Sequence, residues 1–218
     1  MGRNAVTPDV PLPRFANACW WLLQAMTQDD IIEALTCCSR ELTGVQQAYF
    51  AARHDQELTM VASSGVCSPD MARSWSEPVG QGIVGTAVEH GTTVLVREYG
   101  QDERRLHRWD SLIEAAGIRS AAVIPVRRTT EVIGALCLMH GSPVEPDRWP
   151  VRALELLVRQ AVSQLDIAAA AEAERLVRRE AEAKAEDLRK LERLTGLVAH
   201  ALMSDKRLGS GLDVIVES

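Results

Sequence analysis

Five cysteines are the most reactive side chains of this 218-residue chain, and they are the first candidates for chemistry. A cysteine acts as a nucleophile beside a group that stabilises its thiolate, and no local serine, cysteine or histidine signature marks such a pair. Neighbouring side chains on a helix diverge by about 100°, so Cys37 and Cys38 do not bind one ion together. The odd number and irregular spacing predict reduced thiols in a cytosolic protein. The cysteines are Cys19, Cys37, Cys38, Cys67 and Cys137.

Histidines are the second candidates, because imidazole is a common metal ligand. Their positions show no spacing typical of a metal site, so we expect no metal. The five are His54, His90, His107, His140 and His200. The sequence predicts no resident cofactor.

Backbone amides ahead of a helix are a third possible source of chemistry. The glycine-rich sequence GQGIVG at residues 80–85 opens an apolar stretch with helical spacing, which Gly91 ends. Amides at such a helix start can bind phosphate, and Arg97 and Arg119 supply positive charge. The remaining arginines of this region, at residues 104–108, alternate with acids.

The elements that position these residues follow from hydrophobic periodicity. Residues 120–126 and 132–139 are short apolar runs around a polar turn, which predicts an antiparallel hairpin with a buried first strand. Pro125 lies inside that strand and cannot donate a hydrogen bond, so we expect it at a bulge or where the strand leaves the sheet. Residues 47–53 and 58–63 predict a second hairpin.

Helices and a further strand complete the first part of the chain. Residues 15–43 have helical periodicity, with a break at residues 27–30 where Thr27 or Asp29 caps a second helix. Residues 92–98 predict a strand, and residues 112–116 predict a short helix.

The order of four short sequences resembles the GAF domain, a small-molecule sensor module of many bacterial regulators. They are GQGIVG at residues 80–85, GIRS at 117–120, IPV at 124–126 and EVIGAL at 131–136. The resemblance covers residues 15–171. It implies an α/β (α+β) fold with a central antiparallel sheet of five or six strands, flanked by helices.

The resemblance also implies where a ligand binds. Residues 66–79 and 99–116 would cover a pocket on one face of the sheet, while the helices at residues 15–43 and 149–171 pack on the other face. Aromatic walls with few polar groups favour an apolar or aromatic small ligand. The implied ligand-binding residues are Cys67, Trp75, Arg97, Trp109, Ile113, Arg119 and Cys137.

Other activities of GAF-like proteins match this sequence less well. His107 lies far ahead of residues 124–126, whereas the haem ligand of haem-binding relatives lies closer to the corresponding proline. The Asn-Lys-Phe-Asp-Glu signature of cyclic-nucleotide-binding relatives is missing. Cys67 and Cys137 could share a pocket, as in free methionine sulfoxide reductases, but those enzymes' cysteine motifs are not found. We expect a protein without catalytic activity; a ligand-free dimerisation spacer and such a reductase stay as alternatives.

The C-terminal part of the chain is predicted to be a long helix. At residues 172–204 a heptad pattern favours a parallel two-stranded coiled coil, with Leu188, Leu191, Val198 and Leu202 in the seam. A solvated helix that folds back on the domain is the alternative. Residues 1–14 are expected to be a flexible lead, and residues 205–218, with a turn at 209–211, to begin a further domain or tail.

Partners follow from charge and from the aromatic residues. The net charge of −6 gives no general attraction for nucleic acid, so we expect DNA contact only through an output domain outside this sequence. Trp20 and Trp21 either pack within the domain or contribute to a homodimer interface. No apolar run is long enough for a transmembrane helix, and we expect no membrane contact. The overall expectation is a dimeric, cytoplasmic, ligand-sensing regulatory domain of a bacterial transcription regulator.

Overall fold

A computed structural model describes residues 10–65 and 74–216, with side chains as far as His200. The described chain divides into two compact units after Ala169. Six strands of the first unit form one antiparallel sheet in the order β3-β2-β1-β6-β5-β4. The strands are β1 Gln47–His54, β2 Glu57–Gly65, β3 Ser76–Pro78, β4 Val94–Val96, β5 Ser120–Arg128 and β6 Glu131–His140.

Helices lie on both faces of this sheet. They are α1 Leu12–Gln24, α2 Gln28–Thr43, α3 Gly82–His90, α4 Asp110–Ala115 and α5 Val151–Val216, with 3-10 turns at Tyr99–Gln101, His107–Trp109 and Pro146–Arg148. The prediction of an antiparallel sheet of five or six strands, flanking helices and a long C-terminal helix is therefore confirmed.

Each face of the sheet has its own apolar core. On the outer face, helices α1 and α2 and the first turns of α5 pack against the even-numbered residues of β1, such as Phe50. On the inner face, helix α3 and the cover segment, defined as residues 99–116, pack against the odd-numbered residues, such as Tyr49. The alternation follows from the two-residue repeat of a strand. The inner face therefore carries the candidate site.

Several local features differ from the sequence predictions or sharpen them. Helix α1 begins at Leu12, inside the expected flexible lead, and Pro13 in its first turn is well suited to a helix start. Thr27 caps α2 and accepts a hydrogen bond from the Asp30 amide at 3.2 Å. Helix α5 continues through residues 209–211, where we predicted a turn. Glycine and serine lower helix propensity without making a turn obligatory.

Pro125 lies where the expectation placed it, at the point where β5 extends beyond its neighbour. Strand β4 pairs with β5 only from Ala121 to Val123. The β5–β6 register shifts between Val126 and Arg127, one residue beyond the proline. The missing N–H therefore costs the sheet no hydrogen bond with β4.

The second unit consists of α5 beyond Ala169. Every side chain at residues 172–200 is exposed, including the predicted seam residues Leu188, Leu191 and Val198. The side chain of Leu202 lies outside the described residues. None of the described helices has the length and hydropathy that a membrane span requires.

Candidate functional site

Two rows of side chains cross the inner face of the sheet, because residues directly opposite in antiparallel strands share a face. The first row is Tyr49, Cys137, Val123 and Val94, and the second is Gln47, Met139, Ala121 and Val96. All eight are buried. Gln47 is thus the single polar amide in two otherwise apolar or weakly polar rows.

Tyr49 is the centre of the first row. Its ring meets Trp75 edge to face, with ring centroids 5.2 Å apart and an interplanar angle of 63°. Its hydroxyl is close enough to the Cys137 thiol to interact with it. Burial raises the pKa of both groups, with a smaller contribution from the Glu77 carboxylate. Both therefore stay protonated at neutral pH.

Glu77 on β3 is the only charged side chain that is buried among the described residues, with 1% of its surface exposed. Its Oε2 accepts hydrogen bonds from the amides of Val84 at 3.2 Å and Gly85 at 3.4 Å, in the first turn of α3. Burial raises the pKa of Glu77 to about 7, although the two amides and Arg108 oppose the rise. The carboxylate occupies the anion position that the start of α3 offers.

The glycines within residues 80–85 leave room for the contact between Glu77 and the start of α3. Gly82 has a φ of +72°, and a Cβ there would lie 2.4 Å from Oε2 of Glu77. A Cβ on Gly85 would meet the Pro78 carbonyl oxygen. These glycines let β3 and α3 approach closely. Of the amides that we considered for phosphate, those of Gly80 and Gln81 donate to the carbonyl oxygens of Gly85 and Pro78, while Glu77 takes the amides of Val84 and Gly85.

The cover segment packs against the inner core. Tyr99 and Ile113 are buried against the inner core, together with Ile118 from the strand entry. The three form one wall of an open cleft of about 360 Å³. Ion pairs stand at its rim, with Arg119 3.0 Å from Glu98 and Arg105 3.4 Å from Asp110.

Trp109 is held in the cover segment by its neighbour. The Arg108 guanidinium lies 5.2 Å from the centre of the Trp109 ring and donates a hydrogen bond to the Ser76 carbonyl oxygen. The ring packs against the inner core. Its Nε1–H is buried and has no hydrogen-bond partner.

Gln47 also has buried polar atoms without hydrogen-bond partners, and here both side-chain polar atoms are affected. The side chain is 1% exposed, and neither Oε1 nor Nε2 has a hydrogen-bond partner. An unpartnered buried polar group costs about 1–3 kcal/mol. The sheet side and the cover side of the inner core therefore each carry an unused hydrogen-bonding group.

The structure brings most of the predicted ligand-binding residues together. Trp75, Trp109, Ile113 and Cys137 belong to the inner core, and Arg119 stands at the rim of the cleft. Arg97 is separated from them, because its exposed guanidinium pairs with Glu145 at 2.6 Å. Cys67 lies outside the described residues.

The histidine considered for haem does not face the inner core. His107 is exposed, and its Nδ1 lies 2.9 Å from Oδ2 of Asp110. In the described part of the chain, no three His, Cys, Asp or Glu side chains are placed to hold a metal ion.

Sequence reasoning missed Gln47, Tyr49, Glu77 and Tyr99. Gln47 could have been found from the sequence, because it lies in a predicted strand two residues before Tyr49 and four before Ala51. Alternate residues of a strand face the same side of the sheet. Glu77 had no comparable signal. Its role depends on a tertiary contact between a three-residue strand and a helix start.

We expect the cysteines to differ strongly in reactivity. Burial raises the pKa of Cys38 to about 11 and that of Cys137 further, whereas Cys37 is exposed. In timed iodoacetamide labelling of the native protein, followed by peptide mass spectrometry, Cys137 should react on the order of 100-fold more slowly than Cys37. In urea the two rates should become similar. Equal native rates would show that the inner face is open.

Comparison with known proteins supports the fold. The sequence at residues 28–169 matches the GAF domain family. No curated protein sequence is significantly similar to the chain. Among solved structures, the GAF domain of a phosphoenolpyruvate-protein phosphotransferase from Acinetobacter is 16% identical, with a TM-score of 0.62, over 79% of this chain and 99% of that one.

Two further structures have different activities on a similar fold. A free methionine-R-sulfoxide reductase from Neisseria meningitidis, in complex with its substrate, is 15% identical with a TM-score of 0.61, over 78% of this chain and 95% of that one. The chromophore-binding domain of a bacteriophytochrome from R. palustris is 13% identical with a TM-score of 0.58, over 73% of this chain and 62% of that one. These likenesses concern the fold alone, and the family match identifies the chain as a member of the GAF domain family.

Proposed function

We propose that this protein is a small-molecule-sensing, dimerising regulatory domain of a bacterial cytoplasmic transcription regulator. The ligand binds between the inner face of the sheet and the cover segment. Helix α5 relays the ligand state to an output domain, which makes the DNA contact. The domain itself has no catalytic role.

The observation that carries this proposal is the pair of unpartnered polar groups on the inner face. Gln47 and Trp109 have buried hydrogen-bonding atoms that no described protein group satisfies. A purely structural core has no need of them, because apolar side chains of similar size would avoid the cost. A bound small molecule would supply the missing partners.

The second unit supports the relay. The seam residues Leu188, Leu191 and Val198 are exposed along a continuous helix. The same heptad register, with alternating steps of four and three residues, also places the polar residues Lys184 and Thr195 in the seam. Polar seam residues weaken a coiled coil and make alternative registers accessible. A ligand that binds one arrangement of the cover segment better would shift the population between such registers. Trp20 and Trp21 on α1, 55% and 59% accessible, would supply a separate dimer contact within the first unit.

The alternatives have less support from the described residues. A reductase needs a reactive thiolate, whereas Cys137 is buried and its pKa is raised. In a ligand-free spacer, the buried polar atoms of Gln47 and Trp109 would stay without hydrogen-bond partners.

The sensor proposal is tested by native mass spectrometry of the purified protein, with an absorption spectrum of the same sample. A dimer with additional mass is the expected result for a loaded sensor. For an unloaded dimer, a metabolite panel in thermal unfolding should give at least one ligand that raises the midpoint. Failure of a broad panel in both assays would favour the spacer, and a Soret band would show haem.

The dimer proposal makes a separate prediction. We expect Leu191→Cys to form an intermolecular disulfide under mild oxidation, in a background without Cys37 and Cys67, because seam residues of a parallel coiled coil face each other. The measurement is non-reducing gel electrophoresis. Arg193→Cys, about 200° away around the helix, is the matched control and should cross-link poorly. Equal or absent cross-linking at both positions would contradict the parallel seam.

A further inference from the structure

An open cleft of about 550 Å³ lies at the edge of the outer core, and we call it the outer cleft. Its lining comes from three segments of the first unit: residues 91–93 between α3 and β4, residues 124–127 of β5, and residues 155–162 in the first turns of α5. Strand β4 pairs with β5 only as far as Val123, so the next residues of β5 border the cleft instead of a strand. The volume is within the range of small-molecule sites.

One part of the lining is apolar. Ile124 and Val158 belong to the buried outer core, and Pro125 and Val162 are partly buried. Apolar surface at the wall of an open cleft stays in contact with water, whereas an apolar group bound there would remove that contact. The outer cleft therefore favours a ligand with an apolar body.

The other part of the lining is polar and carries more positive than negative charge. Arg127 and Arg159 both line the cleft, so a molecule that fills it meets both arginine side chains. Arg159 is exposed and makes no hydrogen bond or ion pair with any described residue. Glu155, the single acid among the described lining residues, accepts a hydrogen bond from the Thr93 hydroxyl at 3.3 Å. The outer cleft thus has a surplus of one positive charge, in a chain whose net charge is −6.

Arg127 is held at the cleft by main-chain groups. Its Nη1 donates a hydrogen bond to the Thr130 carbonyl oxygen at 3.3 Å. Its Nη2 occupies the space that a Cβ on Gly91 would need, and Gly91 ends α3 with a φ of +62°. No carboxylate of the described residues forms an ion pair with Arg127. The guanidinium is therefore positioned without being neutralised, and it keeps N–H donors for a carboxylate.

We propose that the outer cleft binds a small organic monoanion, a carboxylate attached to an apolar body. The carboxylate pairs with Arg127 and Arg159, and the apolar body covers the surface of Ile124 and Val158. Glu155 in the same cleft would repel a second negative charge, which disfavours phosphate and dicarboxylates. This site goes beyond the proposed sensor function, because it lies at the outer core and its residues 155–162 belong to α5 itself.

Three probes separate the contribution of the charge from that of the apolar body. Benzoate has both, benzamide is a neutral molecule of nearly equal shape, and acetate is an anion without the ring. In ligand-observed NMR titrations of the full chain at constant ionic strength, benzoate should bind at least about fivefold more tightly than either of the others. Equal or tighter binding of benzamide or of acetate would overturn the ligand class, and no binding of benzoate would overturn the site.

Single substitutions connect the binding to the outer cleft. Arg127→Gln and Arg159→Gln should each weaken benzoate binding about fivefold, because each removes one charged contact at a solvent-accessible site. Arg152→Gln is the matched control and should bind benzoate as wild type does, because Arg152 is also exposed on α5 but does not line the cleft.

The Arg159→Gln variant decides the outcome if Arg127→Gln does not fold, since Arg159 has no contact with a described residue to lose. Unchanged benzoate binding in Arg159→Gln, or equal weakening in Arg152→Gln, would overturn the proposal. None of the three substituted arginines belongs to the inner core, so the result is independent of the proposed sensor site.

Discussion

Gly82→Ala is expected to destabilise the protein by about 3–5 kcal/mol. The backbone at Gly82 has a φ of +72°, which an alanine adopts only with strain. The added Cβ would also lie 2.4 Å from Oε2 of Glu77, well inside van der Waals contact. The carboxylate would have to leave the amides of Val84 and Gly85, and it would then be buried without those bonds. Urea unfolding followed by circular dichroism measures the loss.

Gly100→Ala is the matched control for this substitution. Gly100 lies in the 3-10 turn of the cover segment, and a Cβ there would meet no atom within 4 Å. Its unfolding free energy should stay within about 0.5 kcal/mol of wild type. If the two alanine substitutions had the same effect, the contact between Glu77 and the start of α3 would have no energetic importance.

Glu77→Gln should remove a pH dependence of about 3 kcal/mol from the stability of the protein. Burial raises the pKa of Glu77 in the folded state to about 7, from 4.5 in the unfolded chain. Between these values the folded state holds a proton that the unfolded state has released. The stabilisation is complete below the unfolded pKa and is lost as the pH rises through the folded pKa.

The measurement is the difference in unfolding free energy between wild type and Glu77→Gln at several pH values. From about pH 4.5 to about pH 7.5, wild type should lose about 3 kcal/mol relative to the variant. Arg108 opposes the pKa rise at Glu77, and the neighbouring Tyr49, Tyr99 and Cys137 keep their protons throughout this range. A constant difference across the range would show that Glu77 has an ordinary pKa and is accessible to water.

The hairpins could be predicted from the sequence because the pattern that defines each strand lies within a few consecutive residues. In β1, Tyr49 and Ala51 alternate with outer-face residues, and a two-residue repeat fixes which side chains share a face. The capping of α2 by Thr27 is similarly local, since donor and acceptor are three residues apart.

The candidate site could be predicted only in outline. Trp109 and Ile113 were assigned to a pocket cover through the resemblance, and the structure places both against the inner core. Arg97 was assigned to the same pocket as a source of positive charge, but it pairs with Glu145, in a loop that comes 48 residues later in the chain. Gln47 stands out only because its buried amide has no hydrogen-bond partner. A missing partner can be recognised only when the positions of all neighbouring groups are known.

The contact between Glu77 and α3 affects how readily the start of this helix can bind an anion. An intramolecular carboxylate on a folded strand competes for the Val84 and Gly85 amides at an effective concentration far above the millimolar values of flexible tethers. A phosphate group would meet a helix start at which the Val84 and Gly85 amides are already bonded. The ionised Glu77 side chain is thus a built-in competitor of phosphate for these two amides.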